Sequence, residues 1–299
     1  MTEHYKAAVW GAFVADALSL GVHWVYNTGV IDKKFGRVER YHDPLASYHK
    51  GKKAGDFTHY GDQMLVLLES AGSAQGFNAG RFAQSWRSFF ATYEGYFDQA
   101  TKATLANMEA GRELTASGSD SDDLAGAARM AALVAVYPND RQELVRAARA
   151  QTTVTHNNDR VIDSADFFAR TVFSVLKGQS PVAAAEQTLN DHFADNPIAS
   201  LVTMGLESRD RDTRQTIAEF GQMCSIQAGL PGAVHLIARY SDDLATALVE
   251  NVMAGGDSSA RGMLTGMVLA AAQGMTAIPD PWTSKMTAAK RIAALLDPL

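Results

Sequence analysis

The chain has 299 residues, of which 46% are hydrophobic and 20% charged, and its formal net charge is −6. This is the composition of an ordinary soluble globular protein. The mild acidity and the lack of a Lys/Arg cluster argue against a nucleic-acid partner. The single cysteine, Cys224, excludes an internal disulfide and a cysteine-based metal cage.

Neither the N-terminus nor the longest apolar run indicates export or a membrane partner. The stretch MTEHYKAAVWGAF carries Glu3 and His4 before its apolar part, unlike a signal peptide. The apolar run after Arg261 is short and rich in glycine, so it predicts a buried helix rather than a membrane span. Since the sequence shows no export signal, we expect a cytoplasmic protein. Since no linker-like tract or charge block divides the chain, we also expect one domain over residues 1–299.

Apolar and small residues at helical spacing predict a first helix over residues 3–20. Asp16 lies inside this apolar pattern. Because aspartate is rarely buried without a partner, Asp16 is either a polar residue at the helix end or part of a site. The next stretch, GVHWVYNTGVI, predicts a loop over the core, in which His23 is either a packed side chain or a ligand-binding one.

Residues 33–56 are polar and irregular, and the segment KGKKAG within them predicts a mobile loop that is either solvated or holds a phosphate. The stretch FTHYGDQMLVLLESAG then shows a helical apolar face, which predicts a helix that starts near Gly61 or Asp62. Helix N-termini attract anions through their free N–H groups. A polar group lies at this N-terminus, as caps or as site residues: Thr58, His59, Tyr60 and Asp62.

Cap residues mark the later helices. They are Ser121-Asp122-Asp123 before LAGAARMAALVAV, Asn139 with Gln142 three residues on, Thr155-His156 before the helix of VIDSADFFARTVFSVL, Ser180 before Pro181, Asn196 before Pro197, and Ser241-Asp242-Asp243 before LATALVENV. Strand signals are scarce, and no period of 30–50 residues indicates a solenoid. The sequence therefore predicts an all-α, compact single-domain bundle of a dozen or more helices.

The stretch NVMAGGDSSARGMLTGMVLAAAQG predicts a central helix that begins after two glycines, with Asp257 or Ser258 as its cap. Gly262, Gly266, Ala270 and Gly274 recur every four residues and fall on one face. Interior glycine costs about 1 kcal/mol relative to alanine, so we expect a closely packed neighbouring helix in compensation. Together, the polar groups at several helix starts predict one pocket suited to a divalent ion or a phosphorylated ligand.

Over nearly its whole length the chain resembles the ADP-ribosylglycohydrolase family. The matching segments are the helix through Asp16-Ala17-Leu18, FTHYGDQM for a Thr-Asp-Asp-Thr-Gln-Met-like motif, LAGAARMAAL for an Asn-Gly-x-x-x-Arg helix, the pair Thr155-His156, and GGDSSARG with the ending IPDPW for the second metal segment. The resemblance implies an all-α fold, two magnesium ions and hydrolysis of the N- or O-glycosidic bond of an ADP-ribosyl substrate.

The chain departs from the family in both metal motifs. The family's adjacent aspartates align with Tyr60 and Gly61, and only Asp62 remains, one position later. The Asp-x-Asp-Thr pattern reads Asp257-Ser258-Ser259-Ala260, and His23 stands where the family often has glutamate. With so few carboxylates, we expect at most one weakly held magnesium ion, or none. These variant motifs resemble the crystallin-like branch of the family.

Motif positions give the polar residues hypothetical roles. Candidate catalytic residues are His59, as general acid or base, and Asp62 and Asp257, which could orient a water for attack on an anomeric carbon. The candidate metal ligands are Asp16, Asp62, Asp257 and Ser259. The candidate substrate-binding residues are His23, Tyr60, His156, Ser258 and Arg261, of which Arg261 could pair with a phosphate or a carboxylate.

Two functions follow from the sequence. One is a hydrolase that cleaves an N- or O-glycosidic bond of an ADP-ribosyl or nucleotide-like substrate. The other is a non-catalytic ligand-binding or structural protein, crystallin-like, on the same scaffold. Both depend on one expectation, that the early position Asp62 and the late position Asp257 meet in a single cleft.

Overall fold

The computed structural model describes residues 3–72 and 76–299, and these residues form α-helices and short turns of 3₁₀ or π helix without a β-strand. The helices are α1 (His4–Leu20), α2 (Thr28–Phe35), α3 (His59–Gly72), α4 (Ala79–Phe90), α5 (Gln99–Glu109), α6 (Leu114–Ser117), α7 (Ala125–Ala128), α8 (Arg141–Thr155), α9 (Asp159–Leu176), α10 (Pro181–Thr188), α11 (Ala199–Glu207), α12 (Thr213–Phe220), α13 (Ile226–Arg239), α14 (Leu244–Met253), α15 (Ser258–Gln273), α16 (Asp280–Ser284) and α17 (Ala289–Leu296). The 3₁₀ helices are Ser47–His49, Arg129–Leu133 and Met275–Ala277, and Leu189–Phe193 is a π-helical turn. The all-α prediction is confirmed.

The fold is organised around the contact between α1 and α15. A Cβ added to Gly266 would lie 2.3 Å from the carbonyl oxygen of Gly11, and a Cβ added to Gly11 would lie 2.3 Å from the carbonyl oxygen of Gly266. The two backbones therefore touch, which is the compensation expected for glycine inside a helix. Every residue of α15 from Ser258 to Ala271 is buried.

The predicted small-residue face of α15 meets two different neighbours. Gly266 packs on α1, whereas a Cβ on Gly262 would lie 2.5 Å from the side-chain nitrogen of Asn251 on α14. Gly274 is not part of the helix: its φ of +79° ends α15. The central position of α15, also in contact with α9, α13 and α14, brings the residues before its first turn to the middle of the molecule.

Several predicted helix starts are wrong by a few residues. Helix α3 begins at His59 rather than at Gly61, and α2 occupies part of the predicted loop because Asn27 accepts a hydrogen bond from the Gly29 N–H at 3.0 Å and caps it. The predicted helix after Asp123 is broken into α7 and a 3₁₀ turn.

Two predicted caps are confirmed and three are corrected. Ser180 caps α10 and Asp243 caps α14. The corrections share one cause, since a neighbouring Asp, Asn or backbone turn supplies the cap instead. Asp140 rather than Asn139 caps α8, Thr155 and His156 end α8 while Asn158 caps α9, and α11 begins two residues beyond Pro197.

The buried apolar side chains of these helices form one hydrophobic core. Within residues 3–72 and 76–299, no helix is both long and apolar enough to cross a membrane. The single domain over residues 1–299 stays a prediction.

The close contact between α1 and α15 can be tested by a substitution at Gly266. Gly266→Ala places a methyl group against the Gly11 carbonyl, so we expect overpacking to outweigh the helix propensity of alanine and to lower the free energy of unfolding by about 2 kcal/mol. Chemical denaturation followed by circular dichroism measures this. The control is Gly80→Ala in α4, where the nearest atom, the side-chain oxygen of Asn78, is 3.4 Å away. Equal midpoints for the two variants would contradict the account.

Candidate functional site

Asp16 is a buried carboxylate at the centre of a polar cluster. Its Oδ2 accepts the Thr58 backbone N–H at 2.9 Å, and its Oδ1 accepts the Thr58 hydroxyl at 2.6 Å and the hydroxyl of Ser259. Burial raises the pKa of Asp16 to about 6, against the lowering effect of these hydrogen bonds. A Cβ on Gly61 would lie 2.2 Å from Asp16 Oδ2, so a larger residue at position 61 would displace the carboxylate. Asp16 is therefore part of a site-like cluster and not a solvated helix end.

Asp62 is neutralised by a cation from the chain itself. Its Oδ2 lies 2.5 Å from Lys52 Nζ and accepts the Tyr93 hydroxyl at 2.6 Å. Burial raises the pKa of Asp62, and the charge of Lys52 opposes that rise. Lys52 belongs to the KGKKAG segment, which the sequence left open as a solvated or phosphate-holding loop. The structure turns Lys52 inward, with 19% of its side chain exposed, and leaves Lys53 75% exposed.

Asp257 precedes α15 in the cap position but makes no capping hydrogen bond. Its Oδ2 instead accepts the Trp24 indole N–H and the Tyr60 hydroxyl, each at 3.1 Å. Only 2% of Asp257 is exposed. The prediction of Asp257 or Ser258 at the start of α15 therefore gives the right cap position, Asp257, but its side chain turns toward two donors from the other side of the cleft instead of capping the helix.

Tyr60 joins Asp257 to a second buried carboxyl group. Its hydroxyl also lies 2.8 Å from Asp123 Oδ2, and Asp123 Oδ1 accepts the Ala125 N–H at 2.9 Å. A phenol has one proton, so Tyr60 donates to one carboxylate at a time, and the other contact is a hydrogen bond only when that carboxyl group is protonated. The Asp123–Tyr60–Asp257 group therefore has the geometry of a shared proton.

Electrostatics favour one proton on this pair. Burial and then the charge of Asp257 raise the pKa of Asp123 to about 7. Burial also raises the pKa of Asp257, which its donors Trp24 and Tyr60 oppose. Two buried carboxyl groups in contact with one hydroxyl cannot both ionise cheaply. The pair thus holds an acid and a base in one place near neutral pH.

His59 forms a buried ion pair with Asp98, a residue that the sequence analysis missed. His59 Nε2 lies 3.1 Å from Asp98 Oδ2, although off the line of a good hydrogen bond. Burial lowers the pKa of His59, but the contact with Asp98 and the charges of Asp123 and Asp257 outweigh it, so the net shift is upward. Asp98 also caps α5 by accepting the Thr101 N–H. In the amino-acid sequence it looks like any other aspartate that precedes a helix.

Trp24 covers the carboxyl pair. Backbone hydrogen bonds of 2.9 Å, from Trp24 N–H to Gly256 O and from Gly256 N–H to Val25 O, hold it beside Asp257. Its ring packs against His49 and Tyr96, with centroid distances of 5.3 and 5.0 Å. In the described residues Trp24 alone among non-glycine residues has a positive φ, of 63°. The aromatic stretch GVHW was the only sequence signal for this cover.

His23 lies beneath this cover and is fully buried. Its Nε2 is 3.8 Å from Asp257 Oδ2, and neither ring nitrogen has a hydrogen-bond partner in the described part of the chain. Burial, followed by the nearby charges of His49 and His59, lowers the pKa of His23 well below its ordinary value. His23 is therefore a neutral ring with unused polar atoms at the candidate site.

The other predicted substrate-binding residues lie around this centre without contacting the carboxyl pair. His156 Nδ1 is 2.9 Å from the Thr155 hydroxyl, and burial lowers the pKa of His156 to about 3. Arg261 donates to Asn251 Oδ1 at 2.7 Å and to the Gly255 carbonyl at 3.0 Å. The Ser258 carbonyl accepts the Asn251 side-chain N–H at 2.8 Å. In this structure Arg261 and Ser258 hold the loop before α15, and their substrate-binding roles stay predictions.

The structure brings the early and late acidic positions together. Asp16 bonds Ser259 at the start of α15 and packs on Gly61, the neighbour of Asp62, while Tyr60 on the same turn bonds Asp257. The starts of α3 and α15 therefore meet through Asp16, Tyr60 and Asp257, whereas Asp62 itself contacts Lys52 and Tyr93, and its meeting with Asp257 stays a prediction. The chemical roles assigned to these residues stay predictions.

The donor set does not fit two magnesium ions. Magnesium requires several oxygen ligands in near-octahedral geometry, but Asp62 is paired with Lys52, and Asp16 is occupied by Thr58 and Ser259. Among the residues that the structure describes, no group of three or more His, Cys, Asp or Glu side chains is placed to hold a metal ion.

Known proteins resemble this chain over almost its full length. It is 27% identical to crystallin J1A of Tripedalia cystophora, over 98% of this chain and 95% of that protein, and 26% identical to crystallin J1B of the same organism, over 94% and 91%. An uncharacterised protein of Archaeoglobus fulgidus is 27% identical, also over 94% and 91%.

A solved structure and a family profile also match this chain. A solved structure described as an ADP-ribosylglycohydrolase-related protein complex superposes with a TM-score of 0.76 at 20% identity, covering 98% of this chain and 95% of that one. This likeness shows the shared fold. The family profile of the ADP-ribosylglycohydrolases matches residues 1–299. The chain therefore belongs to the ADP-ribosylglycohydrolase family.

Proposed function

We propose that this protein hydrolyses the N- or O-glycosidic bond of an ADP-ribosyl or related nucleotide-like substrate. The observation that carries the proposal is the buried carboxyl pair Asp123 and Asp257 on the single hydroxyl of Tyr60. Glycosidases generally use two carboxyl groups, one as acid and one as base or nucleophile. Membership of the family supports a hydrolase, and the pair supplies the two protonation states that hydrolysis needs.

The two carboxyl groups have different roles in this proposal. Asp123, whose pKa is raised to about 7, donates its proton to the departing N or O atom as the glycosidic bond breaks. Asp257, held as a carboxylate by Trp24 and Tyr60, accepts a proton from the water whose oxygen bonds to the anomeric carbon. His59 in its protonated form adds positive charge beside the pair, with its ring centroid 4.0 Å from that of Tyr60.

Asp62 has a different role from the one its motif position suggested. Because its carboxylate is paired with Lys52 and Tyr93, we assign it to holding the 50–57 loop rather than to orienting the attacking water. Substrate entry requires Trp24 to move, since its indole bonds Asp257 and packs on the 55% exposed ring of Tyr48.

A second candidate function is a non-catalytic ligand-binding or structural protein. Two observations favour it: two relatives are named crystallins, and the candidate site is buried under its own aromatic side chains. This function predicts no release of ADP-ribose from any N- or O-linked substrate, with or without magnesium. Retained binding would still appear as thermal stabilisation, about 2.7 kcal/mol for ADP-ribose at 100 times its dissociation constant.

Substitution of the carboxyl pair tests the hydrolase proposal. Asp123→Asn and Asp257→Asn each remove one proton-transfer group, so we expect the release of ADP-ribose from N- and O-linked substrates to fall at least about 100-fold, with the fold intact. The matched control is Asp122→Asn, the exposed neighbour of Asp123, which should keep full activity. Full activity in both site variants would contradict the role of the pair, and a wild-type protein without turnover would favour the second candidate.

The pH dependence of turnover tests which group is the acid. A general acid works only while protonated, and the folded pKa of Asp123 is raised, so activity should persist up to about pH 7 and be lost as the pH rises through that value. The measurement is kcat/KM against pH, compared with circular dichroism to exclude unfolding. A rate that does not change from mildly acidic to mildly alkaline pH would contradict this assignment.

A further inference from the structure

The clearest unexplained feature outside the carboxyl pair is a lysine directed at a buried aspartate. Lys52 Nζ lies 2.5 Å from Asp62 Oδ2, and the Lys52 ammonium also lies 5.7 Å from the centre of the Tyr93 ring, whose hydroxyl donates to the same oxygen. The Asp62 side chain is 15% exposed and that of Lys52 is 19% exposed. The proposed hydrolysis makes no use of this contact.

Two buried carboxylates converge on this place. Asp16 is fully buried, and its Oδ2 packs so closely on Gly61 that a Cβ there would lie 2.2 Å away. Asp62 follows Gly61 directly along α3. A charge taken out of water requires a partner charge, and the removal of one partner leaves the other uncompensated. Thr58 and Ser259 offer Asp16 only neutral donors, and Lys52 is the cation in direct contact with Asp62.

The same chain offers a close comparison. Lys53 follows Lys52 in the KGKKAG segment, but its side chain is 75% exposed and its nearest acidic partner, Asp43, is 3.6 Å away and also largely exposed. The loop therefore directs one of two adjacent lysines inward. A cavity of about 280 Å³ lies beside Lys52 and is also lined by Asp56, Asp62 and Arg291, so a small ion could reach the Asp62 carboxylate if the ammonium group were absent.

We propose that Lys52 is a built-in cation in place of a divalent metal ion at the Asp62 carboxylate, close to the buried Asp16, and that its removal would open a divalent-cation site. This explains how the chain can keep Asp62 in the first motif without a fitting set of metal ligands. The inference is independent of the proposed hydrolysis, because it concerns charge compensation at Asp62 and not the Asp123–Tyr60–Asp257 group.

Thermal unfolding of the full chain tests this, first in buffer with EDTA and then with Mg²⁺ or Mn²⁺. The wild type should show no shift with either ion. Lys52→Met keeps a linear side chain but removes the charge, so its melting temperature should fall in EDTA and rise again with Mn²⁺ or Mg²⁺ by mass action. Binding of Mn²⁺ measured by electron paramagnetic resonance should appear in this variant alone.

Two further variants make the result decisive. Lys53→Met should behave like the wild type in every condition. The double variant Lys52→Met/Asp62→Asn removes both charges, so it should fold, recover most of the lost melting temperature without metal, and bind no Mn²⁺. The proposal is overturned if the wild type is itself stabilised by either ion, if Lys52→Met ignores both ions, or if the double variant is no more stable than Lys52→Met.

Discussion

The contact between the backbones of Gly11 and Gly266 is the constraint on which the site depends. It sets α1 against α15 with no side chain between them, and so it places Asp16 within reach of Ser259 and brings Asp257 to the same cleft. Residues more than 240 positions apart in the sequence are thereby joined by one hydrogen bond.

This packing buries several carboxylates, and a different partner compensates the charge of each one. Asp62 has Lys52, Asp98 has His59, and Asp16 has hydroxyl and backbone donors. Asp123 and Asp257 accept hydrogen bonds from neutral donors, namely Tyr60, Trp24 and the Ala125 N–H, so a proton is the least costly compensation for one of them. The same burial that raises the pKa values of Asp123 and Asp257 supplies the acid that the proposed hydrolysis needs.

Helix class, the central glycine face and the convergence of helix starts could be predicted because each depends on local spacing or on residue size. The predicted caps of α8 and α9 lie one to three residues before the observed caps, since several neighbouring residues can cap equally well. Lys52, Asp98 and Trp24 could not be found from the sequence. A lysine in a basic loop, an aspartate before a helix and a tryptophan in an aromatic loop look ordinary until tertiary contacts direct them at a buried charge.

The central claim is that Asp123 and Asp257 share one proton through Tyr60 near neutral pH. Nuclear magnetic resonance titration of ¹³C-labelled aspartate carboxyl carbons measures this directly. We predict that the two signals titrate in two separate steps, one of them with a pKa raised to about 7, and that both move when Tyr60 is replaced by phenylalanine. Two signals that titrate together near the unperturbed value of about 3.9 would contradict it.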